Sequence, residues 1–522
     1  MTGRAAALRR ALIEFFAGAA GVLAFAPFYL WPAALLSLGV LFAAWWRAPG
    51  AWGAFLAGWR WGMGMFLAGV SWLYVSLHVY GNMPAILAGM AILLFCGYLA
   101  LFPALAGWCA RWLVVRTGVG AFVAMLMVFP AMFVLAEFLR GWFLTGFPWL
   151  NIGTSQTPGG LLPVPLAGFA PLGGAALLSL LVAMVAAGVL LLSPWLRGVH
   201  ASRRAKAGIA AGIAVVLATG ALAGRIEWSV PSGPPVEAAL VQGNIPQEIK
   251  WRAEAFERTL SLYRDLVRSS SAPLIVLPET ALPGFLHDLP PEYLADLGAS
   301  LRERKSELVL GVPVAERRDP ASGAFRYANS AIVLGSTDGQ RYDKRHLVAF
   351  GEFMPPLFSW VYRWLQIPLA GFTPGAPDAP LLRVAGIAAA VNICYEDAFG
   401  GEIAPAAREA DVLINLSNMA WYGRSLAASQ HAQFSQLRAL ETARWMLRAT
   451  NTGVTAAINE RGEIFAALPQ FETGVLPVVF TPRRGVTPYM RWGDAPALAL
   501  CAALIALAGT RAWRARAAGA PG

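Results

Sequence analysis

Three residues whose types suit covalent chemistry each stand just beyond a short apolar stretch. Glu279 follows residues 273–278 (PLIVLP), Lys344 follows the turn at 336–339 and the tripeptide Gln340-Arg341-Tyr342, and Cys394 follows residues 386–393 (GIAAAVNI). A carboxylate, an ammonium and a thiol are the base, oxyanion stabiliser and nucleophile of acyl transfer. A free thiol, with a pKa of about 8.5, is mostly protonated near neutrality, so a base must take its proton. His287, His346 and His431 stand in no familiar Cys-His motif, which leaves Glu279. Burial would raise its carboxyl toward neutrality, where it serves as a base. Lysine is rare here, four residues against a large majority of arginines. Lys344 therefore reads either as a placed ammonium that lowers the thiol pKa and stabilises an oxyanion, or as a solvated surface charge. Cys394 on its strand context alone reads equally as a small buried hydrophobe.

Rigid strands must carry these groups. The nearly all-aliphatic stretch before Cys394 predicts a strand covered on both faces, and side-by-side strands would let the three ends converge. From residue 236 onward the pattern alternates. Strands are expected over 236–242, 274–277, 307–314 and 412–416, helices over 254–268, 291–304, 402–409 and 427–448, and hairpins at 327–339 and 454–467. This alternation predicts a mixed sheet covered by helices.

The rest of the chain is of another kind. With 57% hydrophobic and only 14% charged residues, the 522-residue chain is too apolar for an ordinary soluble protein. Apolar segments at 12–27, 31–46, 61–80, 85–108, 118–139, 166–192, 207–223 and 495–509 predict eight transmembrane helices, the first an uncleaved anchor. Residues 1–224 hold 12 Lys+Arg against only Glu14 and Glu137, whereas 225–494 is nearly balanced. Basic clusters at Arg9-Arg10, Arg111, Arg203-Arg204 and Arg511 fall in alternate loops, which puts them in the cytoplasm and the polar region outside it. This distribution argues against a nucleic-acid partner. Arg60 reads as marking a late start of the third span, and Arg140 as snorkelling to the outer interface. The loop 141–165, with Trp149, is either an aromatic interfacial belt or the wall of a lipid entrance. The uncharged, aromatic segment 353–374 is either a core insertion or an arm dipping into the membrane interface. Cys96, Cys109 and Cys501 lie in apolar segments, so Cys394 has no internal disulfide partner in the polar region.

Three motifs carry a resemblance: Pro278-Glu279-Thr280, Tyr342-Asp343-Lys344-Arg345-His346 with Phe350-Gly351-Glu352, and Asn392-Ile393-Cys394-Tyr395-Glu396. They resemble the Glu-Lys-Cys motifs of the nitrilase (carbon-nitrogen hydrolase) superfamily. With the apolar segments, and with Val241-Gln242-Gly243-Asn244-Ile245-Pro246-Gln247, Phe147-Pro148-Trp149 and Ala449-Thr450-Asn451-Thr452-Gly453, nearly the full length resembles the apolipoprotein N-acyltransferase family. The resemblance implies a polytopic α-helical membrane domain at 1–224, an extracytoplasmic α/β domain of αββα sandwich fold at 225–490, and a last helix with a cytoplasmic tail at 491–522. It implies transfer of an acyl chain from a membrane phospholipid, typically phosphatidylethanolamine, to the α-amino group of a diacylglyceryl-cysteine lipoprotein in the bacterial inner membrane, the catalytic domain lying on the periplasmic side. Cys394 is then the nucleophile of a ping-pong thioester mechanism, Glu279 the base and Lys344 the oxyanion stabiliser, with no metal or cofactor. Glu352, Tyr395, Glu396, Trp251, Trp421 and Trp149 match supporting or substrate-binding positions. Ala349 and Met419 depart from the pattern, which usually has proline and aspartate there. Two rivals are a membrane-tethered amidase, with water as acceptor, and a transporter, which would place charged residues inside its spans.

Overall fold

The computed structural model describes residues 2–196, 202–317, 325–355 and 371–517. These described residues form two compact units, those within 1–74, 84–226 and 492–522 and those within 75–83 and 227–491.

Among the described residues of the first unit, four helices are long and apolar enough to cross a membrane: Ala85–Thr117, Ala121–Arg140, Pro165–Leu192 and Arg203–Ala223. Pro32–Arg47 and Ala495–Thr510 are shorter apolar helices. The expected segment 61–80 is redrawn. Its helix runs Ala51–Val70, so Arg60 lies mid-helix and does not mark a late start. Arg60 is accommodated there because its Nε donates to Glu14 Oε2 of helix Thr2–Gly21 at 2.6 Å. One turn on from that ion pair, a Cβ at Gly18 or Gly64 would overlap the facing backbone, so small residues set how closely the two helices approach. Arg140 does not snorkel either. It is buried, and its Nη1 donates to the carbonyls of Phe147 and Trp149 at 2.6 Å each. The aromatic loop that follows it is thereby held by a guanidinium whose donors satisfy non-helical carbonyls.

The second unit contains two six-stranded sheets and a short β1–β14 pair (Val230–Pro231 with Arg483–Arg484). One sheet has the order β13 (Gly474–Phe480), β2 (Val236–Gln242), β3 (Leu274–Val276), β4 (Glu307–Arg317), β5 (Phe325–Leu334), β6 (Arg341–Asp343). The other runs β12 (Ile464–Ala467), β11 (Ala456–Ile458), β10 (Met446–Thr450), β9 (Val412–Ser417), β8 (Ile387–Ile393), β7 (Leu382–Val384). Leu240, Val276 and Val333 of the first sheet share one buried cluster with Val391, Ile414 and Leu447 of the second. The alternate residues of the first sheet, such as Val241, Ile275 and Leu310, pack on Tyr263 and Leu297 of helices Ala253–Arg268 and Pro291–Glu303. Leu413 and Met446 of the second pack on Ile403 and Ala439 of helices Gly400–Ala407 and Ala427–Thr442. Period-two alternation thus gives each sheet two apolar faces. The helix expected over 427–448 stops at Thr442: Ala443 turns left-handed (φ 49°), and the chain returns as β10.

Candidate active site

The strand ends do converge, but across two sheets. Glu279 follows β3 and Lys344 follows β6, which β4 and β5 separate within one sheet, while Cys394 follows β8 of the facing sheet. A side-by-side arrangement of the three strands is therefore replaced by a meeting across the stacked sheets.

Each group is held by local geometry. Beyond β3 the chain turns at Thr280 (φ 47°), and a Cβ at Gly311 of β4 would strike Pro278 O and Glu279 Cα, so only glycine allows this approach. Glu279 Oε1 accepts from Asn329 Nδ2 at 2.8 Å and from Lys344 Nζ at 3.3 Å, and its Oε2 accepts from the Asn418 N–H at 2.9 Å. Lys344, 1% exposed, also donates to Glu352 at 2.9 Å, and its main-chain N–H donates to Asn329 O at 2.7 Å. Asn329 Nδ2 reaches Glu352 Oε1 as well, at 2.8 Å. Glu352 Oε2 takes the Val348 N–H, which closes the loop after Lys344. Cys394 itself is half-buried with φ 54°, at the step from β8 into a 3-10 turn, Cys394–Ala398. Left-handed backbone in a non-glycine residue stores strain of about 1–3 kcal/mol, which the surroundings must hold.

Electrostatics correct two sequence-based expectations. Burial pushes the Glu279 carboxyl up, but Lys344, the Asn329 amide, the Cys394 thiol and Lys250 together outweigh it and hold it below the ordinary value. Lys344 does pull the Cys394 thiol down, yet burial, Glu279 and Glu352 outweigh it and the thiol is pushed up. Burial opposes the Lys344 charge, but Glu352 and Glu279 raise its pKa well above the usual lysine value. The resting site is a carboxylate, an ammonium and a protonated thiol. Glu279 suits the role of base through the thiol it touches, not through an elevated pKa.

The other expected residues are placed differently. Glu396 is a clasp between loops: its Oε1 accepts from the N–H groups of Arg345 (2.6 Å) and His346 (3.1 Å) and from Tyr342 Oη (2.9 Å), its Oε2 from the Ile393 N–H at 2.5 Å. It joins the lysine loop to the cysteine turn, and burial raises its carboxyl to about 7. Tyr395 packs edge-on against Phe399 and His346, centroids 5.0 and 5.7 Å away. Trp251 is 42% exposed. Trp421 lies in a 3-10 turn, its ring centroid 6.1 Å from that of Tyr80 in the segment 75–83. Trp149 belongs to the first unit, buried against Trp72 (centroids 5.0 Å). Of the segment 353–374, residues 356–370 lie outside the described residues.

Several participants are not evident from the sequence. Asn329 is the polar break in an apolar strand, a signal visible only once β5 is known to face the site. Lys250 is buried, and burial depresses its ammonium to about 8 although Glu279 opposes this. Tyr422 is pushed above its usual range, by burial first and then by Cys394. Asn451 accepts the Ile245 N–H at 2.8 Å and donates to Ile245 O at 2.7 Å and to Asn418 Oδ1 at 3.2 Å. The 241–247 and 449–453 motifs are thus tied together behind Asn418, the residue that holds Glu279.

The carbon-nitrogen hydrolase family matches residues 237–482, the stretch that brings this carboxylate, ammonium and thiol together at the ends of facing sheets. The apolipoprotein N-acyltransferase N-terminal domain matches residues 17–188. An apolipoprotein N-acyltransferase of Nitrosomonas europaea is 44% identical over 505 residues, 96% of this chain and 97% of the relative. Those of Chromobacterium violaceum (43%; 97% and 94%) and Methylococcus capsulatus (44%; 94% and 94%) are similar. The chain belongs to the apolipoprotein N-acyltransferase family.

Proposed function

We propose that this enzyme moves an acyl chain from a membrane phospholipid, phosphatidylethanolamine for preference, through a Cys394 thioester to the α-amino group of a diacylglyceryl-cysteine lipoprotein. The observation that carries the reading is the buried ion pair of Glu279 with Lys344 at 3.3 Å, to which the Cys394 thiol is electrostatically coupled. Glu279 takes the thiol proton as sulfur attacks the ester carbonyl, and the developing oxyanion is stabilised by the Lys344 ammonium. The carbon–oxygen bond breaks, and the lysophospholipid leaves with the proton held by Glu279. In the second half-reaction the acceptor amine attacks the thioester, Glu279 takes its proton, and the carbon–sulfur bond breaks to return the thiol. Splitting the transfer in this way predicts ping-pong kinetics. The setting we propose is an αββα domain at 225–490 on the periplasmic side of the bacterial inner membrane, between seven helices in 1–224 and an eighth after 491. The distribution of arginines supports this orientation.

The test is the intact mass of the purified protein after incubation with phosphatidylethanolamine and no lipoprotein. Wild type gains one hydroxylamine-labile acyl chain, and Cys394→Ser gains none. An unmodified wild type with intact fold and lipid would sink the thioester reading.

A further inference from the structure

The main-chain carbonyl of Cys394 faces a second polar cluster, buried throughout, that the acyl-transfer steps do not use. His431 Nε2, from helix Ala427–Thr442, reaches Cys394 O at 3.0 Å, and Asn415 Nδ2, from β9, donates to the same oxygen at 3.3 Å. Arg448 Nη2, from β10, lies 2.8 Å from His431 Nδ1, with the Met419 sulfur 3.0 Å from that nitrogen. Arginine only donates, so Nδ1 is the acceptor and the ring proton sits on Nε2, aimed at the nucleophile's carbonyl. Asp397 Oδ1 lies 2.8 Å from the same Nε2, while Arg448 Nη1 donates to Asp397 Oδ2 (2.9 Å), Asn415 Oδ1 (2.7 Å) and Ser435 Oγ (2.9 Å). His431 and Arg448 are 1% and 0% exposed, and Asp397 is 0%. Burying an ion pair in this way is costly compared with an apolar core, so stability alone is a weak reason for it.

We infer that His431 is a positioning residue for acyl transfer: the Asp397–His431–Arg448 cluster holds the Cys394 carbonyl and, through it, the left-handed backbone from which the thiol attacks. Asp397 and Arg448 cancel each other's charge and leave the imidazole neutral, with one fixed tautomer. The inference rests on Cys394 being the nucleophile. A misplacement of about 1 Å at a reacting atom lowers the rate on the order of 100-fold.

The experiment is single-turnover acylation of the full-length enzyme by phosphatidylethanolamine in detergent, read by intact mass, with lipid concentration varied. His431→Leu acylates about 10- to 100-fold more slowly at saturating lipid while the half-saturating lipid concentration stays within about twofold, because His431 shapes attack and not lipid binding. His431→Gln keeps an acceptor for Arg448 and a donor for the carbonyl, and recovers most of the rate. Glu441→Gln, about 15 Å further along the same helix by its rise, removes a partner of Arg438 and serves as the stability control: Tm falls and the acylation rate does not. If His431→Leu does not fold, His431→Asn, whose amide is too short to reach the carbonyl, replaces it with the same expected loss. Acylation of these variants at the wild-type rate overturns the inference, as does a loss no greater than that of a control with the same fall in Tm. Absence of acylation in wild type would instead overturn the thioester reading itself.

Discussion

At the scale of single residues, the resting charge state sets what substitutions do. Glu279 and Glu352 both raise the Cys394 thiol pKa, while Lys344 lowers it. Glu279→Gln removes the larger of these raising charges, so the pH midpoint of Cys394 alkylation by iodoacetamide moves down although acyl transfer is lost. A midpoint that stays put or rises would contradict the electrostatic assignment. Lys344→Arg keeps the charge but cannot place a flat, larger guanidinium in the enclosed space between Glu279 and Glu352. The acylation rate falls by about 100- to 1000-fold, the usual loss for a missing oxyanion donor, and a rate near wild type would remove Lys344 from that role. The residue types at 279, 344 and 394 were readable because a base, a cation and a thiol each followed an apolar run. Their protonation was not, because it depends on how many opposing charges share the enclosed space.

At the scale of elements, Glu396 joins the lysine loop to the cysteine turn, and its titration gives that clasp a pH signature. Its folded pKa, about 7, lies above the ordinary 4.5, so its contribution to stability is full below about pH 4.5 and is lost as pH rises through about 7. Glutamine stands in for the protonated carboxyl at every pH. The Tm of wild type therefore falls relative to Glu396→Gln between pH 4.5 and 7.5, by several degrees on the scale of about 3 kcal/mol. A constant difference across this range would show that the carboxyl does not titrate there. Strand and helix periodicity made most of these elements legible, including the stretch that ends on Cys394. It misread 443–448 because Ala and Arg favour helix, and only the left-handed turn at Ala443 and pairing of β10 with β9 decide against it.

At the scale of the whole molecule, the first unit carries an ion pair that the arginine pattern alone does not explain. Glu14→Gln leaves Arg60 without its charge partner, and Tm in detergent falls; adding Arg60→Met recovers part of the loss, since removing both charges avoids an uncompensated one. Equal Tm values for the single and double variants would show that the pair contributes nothing. Composition, charge placement and strand-end chemistry by themselves gave a largely membrane-embedded chain with a carboxylate, an ammonium and a thiol at strand ends, because these are local properties of the chain, whereas the family came from the resemblance of its motifs. Tertiary structure alone decided that Glu279 and Lys344 come from one sheet and Cys394 from the other, and that Arg140 and Arg60 are satisfied inside the fold. It also decided that Asn329, Lys250 and His431 share the surroundings of the site. Their places depend on strand order, sheet stacking and the pairing of buried charges, which link residues far apart in sequence and leave no periodic trace in it.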